Sequence, residues 1–290
     1  MSKELPAHIA NLLQRQQRSP DGRAADSAGV PWEGRDLAGE GNPLHTFDGD
    51  DGLATPQVQT AGQALISGTG DEAGFVNALA GQRLFAPVIA TVAEEGEALE
   101  AGGPVGDKQA DIALVTLTAP DGRQAMPVFT SVQALTDWHS EARPVAAEAE
   151  RIMLAAVAEG AELVVLDPGA ELTFVIRRPA LEALAQGSTW VPSYADAELA
   201  QALSEVPDLC PGVESLVLQP NAGIVATTAS GTQVMGGGAG PELSIGVICS
   251  PGADAVDERL ALAAVQAALE DVEILRRRAD SLQILPARRQ

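Results

Sequence analysis

Basic residues are scarce: 18 Lys and Arg stand against 40 Asp and Glu over 290 residues, a formal charge of −22. Phosphate backbones are bound by clustered cations that release counterions, so this deficit argues against nucleic acid and anionic membranes as partners. Cysteine is scarcer still. Cys210 and Cys249 are too few for a disulfide framework, and neither has a partner at metal-ligand spacing; both are expected as reduced thiols. The three histidines, at 8, 45 and 139, lie far apart, and none repeats at the four-residue spacing of a helical zinc pair. No segment approaches 18 consecutive apolar residues. The start, Met1-Ser-Lys-Glu-Leu-Pro-Ala-His8, has no apolar stretch of the length that a secretory signal requires. The expectation is a cytoplasmic protein with no metal and no cofactor.

What the chain does have is 46% hydrophobic residues, enough for ordinary cores. Its length suggests about two domains at roughly 150 residues each. Residues 1–74 read as helices and an irregular arm. Leu5, Ile9, Leu12 and Leu13 share one helical face, and a turn-rich stretch runs from Ser19 to Thr55. Thr55-Pro56 then opens a helix to Ile66 by placing Pro at the first helical position. A short helix from Asp71 carries Phe75, Val76 and Leu79.

Residues 75–187 read as one α+β domain. Strands are expected at 84–90, 111–118 and 124–130, the last two joined by a hairpin through Ala119-Pro120-Asp121-Gly122-Arg123. Ser131 can cap the following helix, which carries Leu135 and Trp138. A helix over 147–159 stops at Gly160. Strands 163–166 and 172–176 flank the turn Asp167-Pro168-Gly169, and a helix over 179–186 closes the unit. Residues 188–290 form a second α+β domain: helix 196–206, strands 213–219, 223–235 and 242–249, a long helix, and a last strand at 281–285. The long helix is marked by Leu262, Val265, Leu269, Val272 and Leu275 at spacings of three and four. The fold class is therefore α+β, with two compact domains of mixed strands and helices behind a helical and irregular N-terminal segment.

No catalytic motif survives inspection. Gly236-Gly-Gly-Ala-Gly240 is followed by Pro241 and a strand rather than by a helix whose N-terminus could face phosphates, so it reads as a flexible hairpin loop. Asp48-Gly-Asp50-Asp51-Gly52 lacks the later ligands of a calcium loop and reads as a solvated turn. Cys249 ends a strand ahead of a helix, yet the Arg that oxyanion-binding loops place six residues on is Ala255 here; a buried strand cysteine is the reading. Arg276, Arg277 and Arg278 complement a helix C-terminus. Arg177 and Arg178 read as solvent-exposed charge.

From Leu84 to Gly187 the chain resembles the N-terminal domain of the SseB family, named for enhanced serine sensitivity. The matching stretches are Leu-Phe-Ala-Pro-Val (84–88), Asp-Lys-Gln-Ala-Asp-Ile-Ala-Leu-Val (107–115), Asp-Gly-Arg-Gln-Ala-Met-Pro-Val-Phe-Thr-Ser (121–131), Leu-Val-Val-Leu-Asp-Pro-Gly (163–169) and Phe-Val-Ile-Arg-Arg-Pro-Ala-Leu (174–181). Pro31-Trp-Glu-Gly-Arg35 and 41–47 are similar to actinobacterial members, and the last hundred residues resemble the family's C-terminal domain. The resemblance implies no established reaction and no catalytic residues. Its name implies an indirect link to serine or amino-acid metabolism.

The resulting expectation is a non-enzymatic protein that binds a protein partner or a small regulatory ligand; the alternative is an enzyme acting on a small metabolite. The strand over 124–130 should bury Met126, Val128 or Phe129 and deliver Thr130 and Ser131 at its end, near Trp138. The turn at Asp167 also lies at a strand end, where loops on a rigid scaffold present binding groups. Thr130, Ser131, Trp138 and Asp167 are thus the binding-surface candidates, with Thr130, Trp138 and Asp167 expected along one groove.

Overall fold

The computed structural model describes residues 47, 50–91, 111–119 and 121–288. The helix expected around Leu5 to Leu13, and most of the turn-rich stretch after it, fall outside them. Of residues 1–50, only a turn in which the Asp50 N–H donates to the Phe47 carbonyl is described. Residues 51–290 form one compact unit.

Within that unit α1 (Pro56–Ile66) and α2 (Glu72–Asn77) come first. Asp71 caps α2 by accepting the Gly74 N–H at 2.7 Å, whereas Thr55 turns its hydroxyl to Gln82 Oε1 rather than capping α1. Then follow β1 (Arg83–Thr91), β2 (Asp111–Leu114), β3 (Leu117–Thr118), β4 (Gln124–Val128), α3 (Val132–Trp138), β5 (Arg143–Glu148), α4 (Ala149–Ala158), β6 (Leu163–Leu166), β7 (Phe174–Arg177) and α5 (Arg178–Ala185). One sheet runs β2-β1-β5 and the other β3-β4-β6-β7. A bridge between Phe85 and Phe129 links them. The pair β4–β6 is parallel, with Val128 opposite Leu166.

Two strand assignments differ from expectation. The single strand expected over 111–118 is broken, its first half pairing with β1 and its second with β4. Strand β5 has no local signal because Ala, Glu and Pro are poor strand formers. Pairing with β1, Pro87 opposite Pro144, makes it a strand, and Pro is tolerated there because β5 is at a sheet edge.

The first core gathers Met126, Val128, Val164, Ile176 and Leu181 with Val58 and Leu65 of α1 and Phe75 of α2. Residues 56–77 therefore pack with this core rather than standing off as an arm. Val234, far down the chain, joins the same core.

The second half contains α6 (Ala197–Leu203), β8 (Val213–Pro220), β9 (Val225–Thr227), β10 (Gln233–Met235), β11 (Leu243–Cys249), α7 (Ala255–Leu269), α8 (Glu273–Arg278) and β12 (Leu282–Ala287). The sheet order is β12-β11-β8, with β11 parallel to β12 and antiparallel to β8. Its core is separate, built on Leu199, Leu203, Leu243, Ile245, Val265 and Leu275. The strand expected over 223–235 is instead the hairpin β9–β10, turned at Ser230 and Gly231. The expected long helix also breaks. Val272 leaves helical geometry (φ −85°, ψ 92°), and α8 restarts with Glu273 in its first turn and three arginines in its last, a charge order that suits a separate dipole.

A buried polar seam joins the two cores, and it corrects two expectations. Arg177 is not solvent-exposed: it is 3% accessible and donates to the carbonyls of Gly238 at 2.5 Å and Gly240 at 2.9 Å. The glycine run is not a flexible loop either. Gly236, Gly237 and Gly238 are buried, and a Cβ on Gly237 would lie 2.3 Å from a ring carbon of Phe174. Close approach of backbone to core requires glycine there. Beside them Glu72 accepts the Tyr194 hydroxyl at 2.8 Å, and Glu242 accepts the Asp280 N–H at 2.9 Å. Burial pushes both carboxyls up, and Arg177 draws both back down. Burial, and then the Glu72 charge, push the Tyr194 hydroxyl up as well.

Candidate functional site

Because β4 and β6 are parallel neighbours, their C-terminal ends emerge at one edge and bring residues 37 apart in sequence into contact. The Asp167 N–H donates to the Val128 carbonyl at 2.8 Å, setting Asp167 level with the end of β4. There the Thr130 N–H donates to Asp167 Oδ1 at 2.8 Å and the Thr130 hydroxyl to Oδ2 at 2.7 Å. Carboxyl ends of parallel strands are where open α/β sheets form ligand crevices.

Asp167 is held in a conformation that costs energy. Its φ of 48° makes it the one non-glycine residue in the left-handed region among those described, where a short polar side chain is tolerated better than others. The Thr173 hydroxyl donates to the Asp167 carbonyl at 3.2 Å and accepts the Gly169 N–H at 3.0 Å, closing the turn. Burial raises the carboxyl above its ordinary range, and only the Thr130 N–H and hydroxyl pull against it. Among the described residues, no cation pairs with it.

The pair lines a cleft of about 260 Å³. Helix α1 supplies Val58, Gln59, Gln63 and Ile66 to it, α2 supplies Phe75, and the segment after the Asp167 turn supplies Glu171 and Leu172. Phe75 is fixed by Phe174, ring centroids 4.8 Å apart. Glu171 is tied to the tip of the β9–β10 hairpin. Its carboxylate accepts the Ser230 hydroxyl at 2.5 Å, which holds its pKa below the ordinary value, and its carbonyl accepts the Ala229 N–H. Arg83, at the start of β1, clamps the approach by donating to the carbonyls of Thr130 at 3.0 Å and Leu53 at 2.5 Å.

Of the four sequence candidates, Thr130 and Asp167 meet on this cleft. Thr130 is buried rather than emergent. Ser131 caps α3, accepting the Ala134 N–H at 3.1 Å. Trp138 packs on Phe129, 5.4 Å between ring centroids, against a small core of Phe85, Phe129, Leu135 and Ala142, and does not line the cleft. The groove expected to hold Thr130, Trp138 and Asp167 thus holds two of them. The reason is alternation: Phe129 and Thr130 are consecutive in extended chain and face opposite ways. Sequence reasoning missed Arg83, Gln59, Gln63 and Glu171. Gln59 and Gln63 at a spacing of four mark one helical face, a signal that was present; Arg83 has none.

Other candidates carry less chemistry. Cys210 and Cys249 are free, and burial, aided at Cys249 by Glu258 and Asp257, raises both thiols rather than activating them. A larger cleft, about 490 Å³ between α7, α8 and β12, is lined by groups already engaged: Arg178 donates to the Arg276 and Ala279 carbonyls, and Asp280 pairs with Arg123 at 2.7 Å. Among the described residues, no group of His, Cys, Asp and Glu is arranged to hold a metal. No helix of the described residues is long and apolar enough to cross a membrane.

No match was found among curated proteins or among solved structures. Residues 61–183 match the family described as SseB protein N-terminal domain, a span that includes the parallel strand pair, Thr130, the Asp167 turn and most of the cleft wall. Residues 61–183 thus form an SseB-family N-terminal domain within the chain.

Proposed function

We propose that this protein, with its SseB-family domain, is a non-enzymatic, cytoplasmic binding protein whose cleft at the ends of β4 and β6 takes a small regulatory ligand. Asp167 carries the reading: a half-buried carboxylate without a countercharge among the described residues, in a backbone conformation costing about 1–3 kcal/mol, lies at the crevice of a parallel strand pair. Nothing in the local packing needs that charge, because a neutral acceptor would serve Thr130. The cleft lies below the roughly 300–1,000 Å³ of sites for drug-sized molecules, which favours a small ligand over a protein segment. Two free cysteines suit a reducing compartment. Residues 75–187 and 188–290 serve in this reading as two domains, the second corresponding to the family's C-terminal domain; most of each core falls within one of them, while Val58, Leu65, Trp190 and Val234 join the first core from outside 75–187. An indirect role in serine or amino-acid metabolism fits a regulatory ligand.

The test is to purify wild type and Asp167→Asn from the native host, denature both, and identify released small molecules by mass spectrometry. A molecule retained by wild type and absent from the variant supports the reading; identical profiles refute it. One observation favours the alternative, an enzyme acting on a small metabolite: Asp167 and Glu171 line one cleft with pKa values displaced in opposite directions, the pattern of an acid and a base. Turnover of the retained molecule by wild type, lost in Glu171→Gln, would decide for it.

A further inference from the structure

Resting on that ligand-binding reading, we infer that the cleft takes a primary ammonium carried on a short apolar substituent. The charged groups lining the cleft are both carboxylates, and the glutamines Gln59 and Gln63 add neutral amides beside them. The Asp167 carboxylate uses one lone pair on each oxygen for Thr130 and keeps the others, since a carboxylate offers about four acceptor sites. Glu171 supplies a second carboxylate. Gln59 donates its amide to the Ala54 carbonyl at 2.8 Å, leaving its own oxygen as an acceptor. Among the described residues, no Lys, Arg or His lines the cleft. Helix α1 has no charged residue at all, and Glu72 of α2 is turned into the seam, bound to Tyr194. Arg83, at the start of β1, directs its guanidinium at the carbonyls of Leu53 and Thr130.

A site rich in acceptors and empty of cations is complementary to a donor that brings positive charge, and it repels a carboxylate. The remaining walls, Val58, Ile66, Phe75 and Leu172, bury an apolar group of a few carbons. An ammonium beside Asp167 supplies the countercharge whose absence burial penalises, so its binding lowers the Asp167 pKa. By linkage the affinity must rise with pH as Asp167 ionises, while the amine itself stays protonated throughout. Glu171, already stabilised as an anion by Ser230, and Asp71, which caps α2, are the other carboxylates to consider on the elements that form the cleft.

The test uses the full chain, isotope-labelled for amide correlation spectra, titrated with n-butylammonium, n-butanol and n-butyrate at pH 5 and pH 7. The expected result is saturable displacement of the Thr130, Asp167, Gln63 and Leu172 amides by n-butylammonium alone. Binding should be several-fold weaker at pH 5 and at least tenfold weaker in Asp167→Asn. The wild-type pH dependence and Glu171→Gln, at the rim, keep the test decisive if Asp167→Asn fails to fold. Displacement of the same amides by n-butanol or n-butyrate in preference to the amine overturns the ammonium assignment while leaving the cleft as a ligand site. No displacement by any of the three, or amine binding indifferent to pH and to both substitutions, overturns it as well. In that case the fate of the ligand reading rests on the separate mass-spectrometric comparison.

Discussion

The cleft at Asp167 holds a half-buried carboxylate and the seam at Arg177 two buried ones, and they differ in what meets the charge. In the seam, Glu72 and Glu242 accept from the Tyr194 hydroxyl and the Asp280 N–H and feel the field of the Arg177 guanidinium, which itself binds the Gly238 and Gly240 carbonyls. In the cleft, Asp167 has hydrogen bonds from Thr130 and no cation. A buried charge met inside the protein is a structural fastening, sensitive to loss of either partner. One left unmet is a cost the fold alone does not explain, and that contrast separates architecture from site.

Breaking the seam should have the largest effect. Arg177→Met leaves the Gly238 and Gly240 carbonyls without their donor and removes a cation from the field of two buried carboxylates; it should destabilise the protein by about 2–5 kcal/mol, about 1–3 for each stranded group, read as a lower midpoint in urea unfolding. Loss under about 1 kcal/mol would show that the guanidinium is not the fastening. Gly237→Ala comes next. A Cβ placed 2.3 Å from the Phe174 ring, at a φ of 73°, should cost about 1–3 kcal/mol, whereas Gly160→Ala, with open space around it, meets only the backbone penalty.

The pH response sharpens the comparison. Glu72, Glu242 and Asp167 have folded pKa values above their ordinary 4.5, 4.5 and 3.8, so the folded state holds their protons more tightly. Their contribution is fully present below those ordinary values and is lost as pH rises through the raised folded ones. Glu242→Gln should therefore flatten the fall in stability above pH 4.5; an unchanged slope would place that carboxyl outside the linkage. The smallest effect belongs to Asp167→Asn. An amide keeps the shape, tolerates the left-handed backbone and removes the unmet charge, so stability at pH 7 should change by less than about 1 kcal/mol. A loss comparable to that of Arg177→Met would erase the distinction between the two regions.

Much of the fold was legible because its signals are local. Ser131 caps the helix it was expected to cap, and the turn at Asp167-Pro168-Gly169 joins β6 to β7 where expected. The meeting of Thr130 with Asp167 followed from two strand ends, but their parallel adjacency is a matter of sheet order. Trp138 was misplaced on the groove because local sequence does not say which face of an extended segment a neighbouring helix covers. Arg177 and Gly236 to Gly238 were misread for the converse reason: an Arg and a glycine run look exposed until another part of the chain is laid over them.

By itself the sequence determined the α+β class, the positions of most helices and hairpins, the absence of a basic surface and the family of its central domain, since all of these rest on composition, periodicity and short motifs. Only the tertiary structure decided that residues 56–77 and Val234 belong to the first core, that β5 is a strand, and that one buried arginine binds the Gly238 and Gly240 carbonyls near two buried acids while Asp167 is left without a cation. Those outcomes depend on which distant segments share a low-dielectric space, and charge burial has no signature in local sequence.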